Sequence, residues 1–303
     1  MLEIDMTAPG FERLVSEDAP LDLIAHDLIF GEGPLWNTRE RAFYFVDIVG
    51  DTIFRWTPGK GREVVIRPST KANGLTYDAH GRLIVAGWAS RSIWRVEPDG
   101  AVTTLASHYD GKKLNSPNDI VVKSDGSIWW TDSPGALFNV GMAGEDVQQH
   151  LPFQGVFRLS ADGKKLTLAV EDCVYPNGLA FSPDERVLYV NDSRQYLIRA
   201  FDVQPDGSVN NARLFHQLEG AEEGIADGMK VDSAGNVYCS GPGGIHVIDA
   251  GGKRLCRIRI PGHVTNMGWG GEDWRSMYIT TRSSVYRTRV EVAGVPVTQG
   301  RPS

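Results

Sequence analysis

Apolar residues in this chain fall in short runs that alternate with polar ones, and Gly, Pro, Asp and Asn separate the runs. Alternation at period two reads as β-strand, and a sustained helical period is weak throughout. The runs recur in pairs: EGPLWNTRERAFYFVD from Glu32, NGLTYDAHGRLIVAG from Asn73, NDIVVKSDGSIWWTD from Asn118, NGLAFSPDERVLYVND from Asn177, DGMKVDSAGNVYCSG from Asp227 and NMGWGGEDWRSMYITT from Asn266. Each pair opens on an acid or amide, passes through a short apolar stretch and a polar turn, and ends in a second apolar stretch. The openers at 32, 73, 118, 177, 227 and 266 are spaced by 41, 45, 59, 50 and 39 residues. Propeller blades repeat at about 40–50 residues.

A third strand is expected after each pair: IFRW from Ile53, IWRV from Ile93, VFRL from Val156, LIRAF from Leu197, IHVI from Ile245 and VYRT from Val285. Fourth strands are expected at EVVI from Glu63, VTTL from Val102, LTLAV from Leu166 and RLFHQL from Arg213. Six such units predict an all-β, six-bladed propeller with four-stranded antiparallel blades. The sixth unit lacks a fourth strand, and LDLIAHDL at residues 21–28 can supply it, closing the ring from both chain ends and removing exposed sheet edges. One domain is expected over 1–303, with its propeller core at 11–290. The long third unit carries an insertion at 133–154, expected as a loop over one face and a candidate lid.

Composition narrows the function. The hydrophobic share of 41% supports a sizeable core, and the net charge of −7 with no basic stripe argues against nucleic-acid binding. Cys173, Cys239 and Cys256 form no CxxC pair, which argues against a structural zinc site and a disulfide framework. Neither a signal peptide nor a membrane span is visible, so the expected location is cytoplasmic, with no membrane partner and the oligomeric state open.

In a propeller the innermost strand of each blade borders a central channel, so the six openers should face one axis. Any one Asn-Gly or Asp-Gly is explained by turn formation. Six acids or amides at one repeat position are harder to explain that way, and Glu32 is a poor turn former. Two carboxylates and several carboxamides converging in a channel are costly to desolvate without a cation. An all-oxygen set suits Ca²⁺, Mg²⁺ or Mn²⁺. Asp132 and Asp192 read as strand-end turn residues, and the histidines show no metal-binding spacing.

The segments FGEGPLWN (30–37), YDGKKLNSPNDIVVKSDGSIWWTD (109–132), YPNGLAFSPDERVLYVNDS (175–193) and ADGMKVDSAGNVY (226–238) resemble the senescence-marker-protein/gluconolactonase family, which includes regucalcin and the luciferin-regenerating enzymes. The resemblance spans about 11–287 and lies nearest the bacterial gluconolactonases. It implies one divalent ion in the channel, Ca²⁺ first, with Zn²⁺, Mn²⁺, Mg²⁺ or Fe²⁺ as alternatives. The implied ligands are Glu32, Asn177 and Asp227, with Asn118 added from the bacterial lactonases and phosphotriesterase-type propellers. Asn73 and Asn118 are implied to touch substrate, while Asn266 is as readily structural as functional. Trp88 falls in a stretch that is polar in bacterial members, and Ser116 stands where animal members have Arg; both changes fall on the implied substrate pocket. The implied reaction is hydrolysis of a small sugar lactone, with Asp227 as general base, Glu32 balancing charge, and Asn118 and Asn177 as neutral oxygen donors. A phosphotriesterase-like hydrolase on the same ion and a non-catalytic ligand-binding propeller are the rival readings.

Overall fold

Strand order in the computed structural model, which describes all residues except 17, 139–141, 143, 145 and 298–303, follows the repeat. Each unit is one antiparallel sheet whose strands lie in chain order. Blade one comprises Gly31–Asn37, Ala42–Asp47, Thr52–Thr57 and Gly61–Ile66; blade two, Ala72–Tyr77, Leu83–Gly87, Ser92–Val96 and Val102–Ala106. Blade three comprises Ser116–Val122, Ile128–Ser133, Gln154–Leu159 and Leu166–Cys173; blade four, Pro176–Phe181, Val187–Asp192, Leu197–Val203 and Val209–Gln217. Blade five runs Met229–Val231, Val237–Gly241, Gly244–Ile248 and Arg254–Arg259; blade six runs Val264–Gly270, Ser276–Thr281 and Val285–Arg289. The first strand of each blade contacts those of both neighbouring blades, and the last contacts the first, which makes the six-bladed ring.

Blades are sandwiched, so both faces of most strands are buried, and alternation sends successive side chains to opposite neighbours. Trp129 packs against Leu179 and Leu188 of blade four. Trp130, the next residue, packs against Ile84 and Ile93 of blade two. Apolar clusters of this kind fill all six interfaces between neighbouring blades.

The N-terminal segment closes the ring as the hydrophobic pattern predicts. Asp22–Ala25 pairs with Val285–Arg289, opposing Asp22 to Arg287 and Leu23 to Tyr286. A second N-terminal strand was not anticipated: Glu3–Asp5 adds a fifth strand to blade five. Asp5 is fixed there by Arg257 at 2.7 Å and Arg259 at 2.6 Å. In the insertion expected at 133–154, Ser133 ends a strand, Gly135–Phe138 forms one helical turn and Gln154 begins the next strand. Its residues 139–141, 143 and 145 lie outside the described residues. The buried Arg91 anchors the loop by bonds to Asp146 Oδ1 at 3.0 Å and the Gln148 carbonyl at 2.8 Å.

Two local features aim the openers at the axis. Register shifts fall between Glu32 and Leu35, Ala72 and Leu75, Pro117 and Ile120, Pro176 and Leu179, and Val264 and Asn266. A β-bulge re-aims a side chain out of strict alternation. The residue after the opener is Gly in four units, which lets inner strands approach closely. A Cβ on Gly74 would lie 2.5 Å from the Asn118 carbonyl oxygen, and one on Gly178 would collide with that of Asp227.

Carboxylates at the ends of second strands brace the loops that lead into the inner strands. Asp192 accepts from the backbone N–H groups of Val174, Tyr175, Arg194 and Gln195. Asp132 accepts from Asn115, and Asp47 from Ile29, Phe30 and Gly50. The expectation of strand-end turn residues at Asp132 and Asp192 matches these bonds.

Candidate metal centre and substrate cavity

At the end of the channel where the inner strands begin lies a cavity of about 480 Å³, lined by Glu32, Asn73, Asn118, Asn177 and Asp227. Five of the six openers therefore share one space, although up to 195 residues separate Glu32 from Asp227. Trp88, Ile48, Val49 and Met142 form part of its apolar wall, while Tyr175 and Arg282 add polar groups.

The hydrogen bonds show which oxygens point inward. Glu32 is 2% exposed, and its Oε2 accepts from Gly33 N at 2.7 Å and Asn266 Nδ2 at 2.8 Å. Two donors on Oε2 hold the carboxylate and leave Oε1 for another partner. Asn177 Nδ2 donates to Ser193 Oγ at 3.0 Å, and Ser193 Oγ donates to the Ala226 carbonyl. That chain fixes the amide with Oδ1 turned away from Ser193, and among the described residues Oδ1 is buried with no hydrogen-bond partner. Buried polar atoms are almost always paired, so an orphaned acceptor on a cavity-lining residue marks a place where a donor or cation belongs.

Electrostatics give the same reading. Burial, opposed by bonds from Gly33 and Asn266, pushes the Glu32 carboxyl up to about 7. Burial first, and the Glu32 charge second, push Asp227 well above the carboxylate range. Two buried carboxylates in mutual repulsion are what a bound cation relieves. Among the described residues no three His, Cys, Asp or Glu side chains gather as a metal-binding cluster. The candidate set is instead two carboxylates and amide oxygens, which fits a hard divalent ion.

A second polar layer lies behind this set. Asn266 Oδ1 accepts from Met267 N at 2.9 Å and lies 3.4 Å from Lys230 Nζ, which turns its Nδ2 toward Glu32. Lys230 Nζ also donates to Asp119 Oδ2 at 3.0 Å. Asp119 takes the position that Gly occupies after four other openers, and its carboxylate is buried against Lys230. Beyond Lys230 is a smaller cavity of about 100 Å³ at the far ends of the inner strands, lined in part by Val295, Pro296 and Val297. The chain's C-terminal stretch packs there, with Val295 N bonded to the Val231 carbonyl.

Ser116 is placed elsewhere than expected. It is fully buried and does not line the cavity; its Oγ donates to the Ser133 carbonyl at 2.6 Å and accepts from Ala136 N at 3.1 Å. The register shift after Pro117 breaks the alternation that would relate it to Asn118, so Ser116 supports the turn at Gly135–Phe138. Trp88 does line the cavity, and Gly135 packs against both its indole and the Tyr175 hydroxyl.

Residues 30–283 match the family model for the SMP-30/Gluconolactonase/LRE-like region. The chain belongs to that family. A gluconolactonase of Zymomonas mobilis is 30% identical to it, over 96% of this chain and 87% of the relative. Regucalcin of Danio rerio is 28% identical over 83% and 82% of the two chains. Among solved structures, a gluconolactonase from Xanthomonas campestris superposes with a TM-score of 0.88 at 31% identity, covering 95% of this chain and 94% of the other. The SMP-30/gluconolactonase family match thus spans the inner strands of all six blades.

Proposed function

We propose that this protein is a metal-dependent lactonase that opens a small sugar lactone at the channel mouth. The carrying observation is the convergence of Glu32, Asn118, Asn177 and Asp227 on one cavity, with Asn177 Oδ1 buried and without a partner among the described residues. The gluconolactonases among its relatives support the substrate class. Glu32 Oε1, Asn118, Asn177 Oδ1 and Asp227 are the oxygens that would hold one divalent ion, with Ca²⁺ the first candidate for this oxygen set. When bound, such an ion polarises an ester carbonyl and lowers the pKa of water.

The chain's own groups supply the rest. Asp227 is the proton acceptor: its carboxylate lines the cavity, and its backbone is fixed by Ser240 Oγ on its N–H and Asn191 Nδ2 on its carbonyl. Glu32 is pinned through Oε2 and contributes charge rather than proton transfer. Asn73, Asn118 and Trp88 position the lactone ring, the indole offering a flat apolar face to one side of it. Met142, from the insertion expected at 133–154, adds an apolar side chain to the cavity lining. The test is acid release from a panel of lactones before and after chelation, with each divalent metal restored in turn. Metal-dependent opening of at least one lactone is expected. If metal-loaded protein opens none, or hydrolyses a phosphotriester instead, the reading is overturned.

A further inference from the structure

One cation lines the cavity beside the carboxylates proposed to hold a metal, and its charge reaches Asp227. Glu32 and Asp227 would balance a divalent ion, and Asp119 is paired with Lys230 behind them. Arg282 is the single Lys or Arg lining the cavity among the described residues. Its ion-pair partner is Glu223, at 3.8 Å, and both side chains are largely in solvent, 53% and 77% exposed. A direct charge-assisted bond is about 2.7–2.9 Å, so this pair is loose, and exposed pairs of this kind contribute little. The rest of Arg282 is well held. Its backbone N–H donates to the His263 carbonyl, its carbonyl accepts from Gly31 N, and its guanidinium lies 5.7 Å from the Phe30 ring centroid. A guanidinium that borders the cavity with about half of its side chain exposed is suited to bidentate recognition of a carboxylate, phosphate or sulfonate.

We propose that Arg282 is a specificity-determining residue that selects lactones carrying an ionised acid group on the carbon chain away from the ester. This rests on the lactonase reading and names its substrate class: an acidic sugar lactone rather than a neutral one. D-Glucaro-1,4-lactone and D-glucono-1,4-lactone are a matched pair, differing by a carboxylate in place of a hydroxymethyl group. Metal-loaded wild type is expected to favour the glucarolactone in kcat/KM by tenfold or more. Arg282→Gln should collapse that ratio through KM for the acidic lactone, and Arg282→Lys should retain part of it. A ratio near one in the wild type, or one unmoved by Arg282→Gln, overturns the inference while lactone opening itself stands. Calorimetric binding of D-glucarate and D-gluconate to the same proteins is independent of turnover. Tighter glucarate binding that Arg282→Gln abolishes supports the anion site even if no lactone is opened, and equal binding of the two acids refutes it.

Discussion

Asn266→Ala isolates the second polar layer from the metal set. The substitution deletes the 2.8 Å bond from Nδ2 to Glu32 Oε2 and leaves Gly33 N as the one remaining donor to that oxygen among the described residues. A hydrogen bond to a charged group contributes about 1.5–3 kcal/mol. At about 1.4 kcal/mol per decade that is roughly 10–100-fold in affinity for whatever Glu32 holds, the loss also typical when a group bonded to a metal ligand is removed. The bond from Asn266 opposes the burial-driven rise of the Glu32 carboxyl, so without it a proton competes better with the cation. The affinity loss should therefore grow as pH falls toward 6. The assay is competition for Ca²⁺ and Mn²⁺ against a chromophoric chelator, run at several pH values, with melting of the metal-free proteins to confirm the fold. A change in affinity under twofold, or one independent of pH, refutes the claim that Asn266 holds Glu32 in place for a metal.

Three further outcomes follow from the same geometry. Asp227→Asn should lower kcat for lactone opening about 10²–10⁴-fold, the range for a lost general base, without lowering the melting temperature, because it removes a buried carboxylate that burial and Glu32 disfavour; a kcat within tenfold of wild type rejects the role. Metal-free protein should lose stability as pH rises from about 4.5 through about 7, because the fold holds the Glu32 proton more tightly than the unfolded chain does. Melting of wild type against Glu32→Gln across that window, with and without Ca²⁺, checks this: the variant should be flatter, the ion should remove the dependence, and equal slopes refute it. Trp129→Ala should cost about 3–5 kcal/mol in chemical denaturation, since it empties a fully buried site between blades three and four; a loss under 1 kcal/mol contradicts the packing described.

The blades were legible because every unit repeats one hydrophobic pattern, and the cavity residues because an acid or amide heads each unit. What stayed hidden has physical causes. Glu3–Asp5 is too short for a periodic signal, and it is held by Ile4 packing on the core cluster beside blade five and by ion pairs of Asp5 with Arg257 and Arg259. Asp119 sits beside an opener, where the repeat suggests Gly, and its partner Lys230 is 111 positions away. Ser116 entered the implied substrate pocket through the resemblance to animal members rather than from its own pattern, and its bonds to Ser133 and Ala136 lie outside the cavity lining. Asn266 looked structural or functional in equal measure, and its bonds show why: it lies one step behind Glu32 and bonds the carboxylate directly. Tyr175 and Arg282 reach the cavity from beside strand ends, with no repeat position to announce them.

Diffraction at the manganese absorption edge from crystals soaked in Mn²⁺ tests the central claim most directly. The account expects one anomalous peak at the channel mouth, within coordination distance of Glu32 Oε1, Asn177 Oδ1 and the Asp227 carboxylate. A peak outside that cavity, or none from protein that opens lactones only when Mn²⁺ is added, contradicts it.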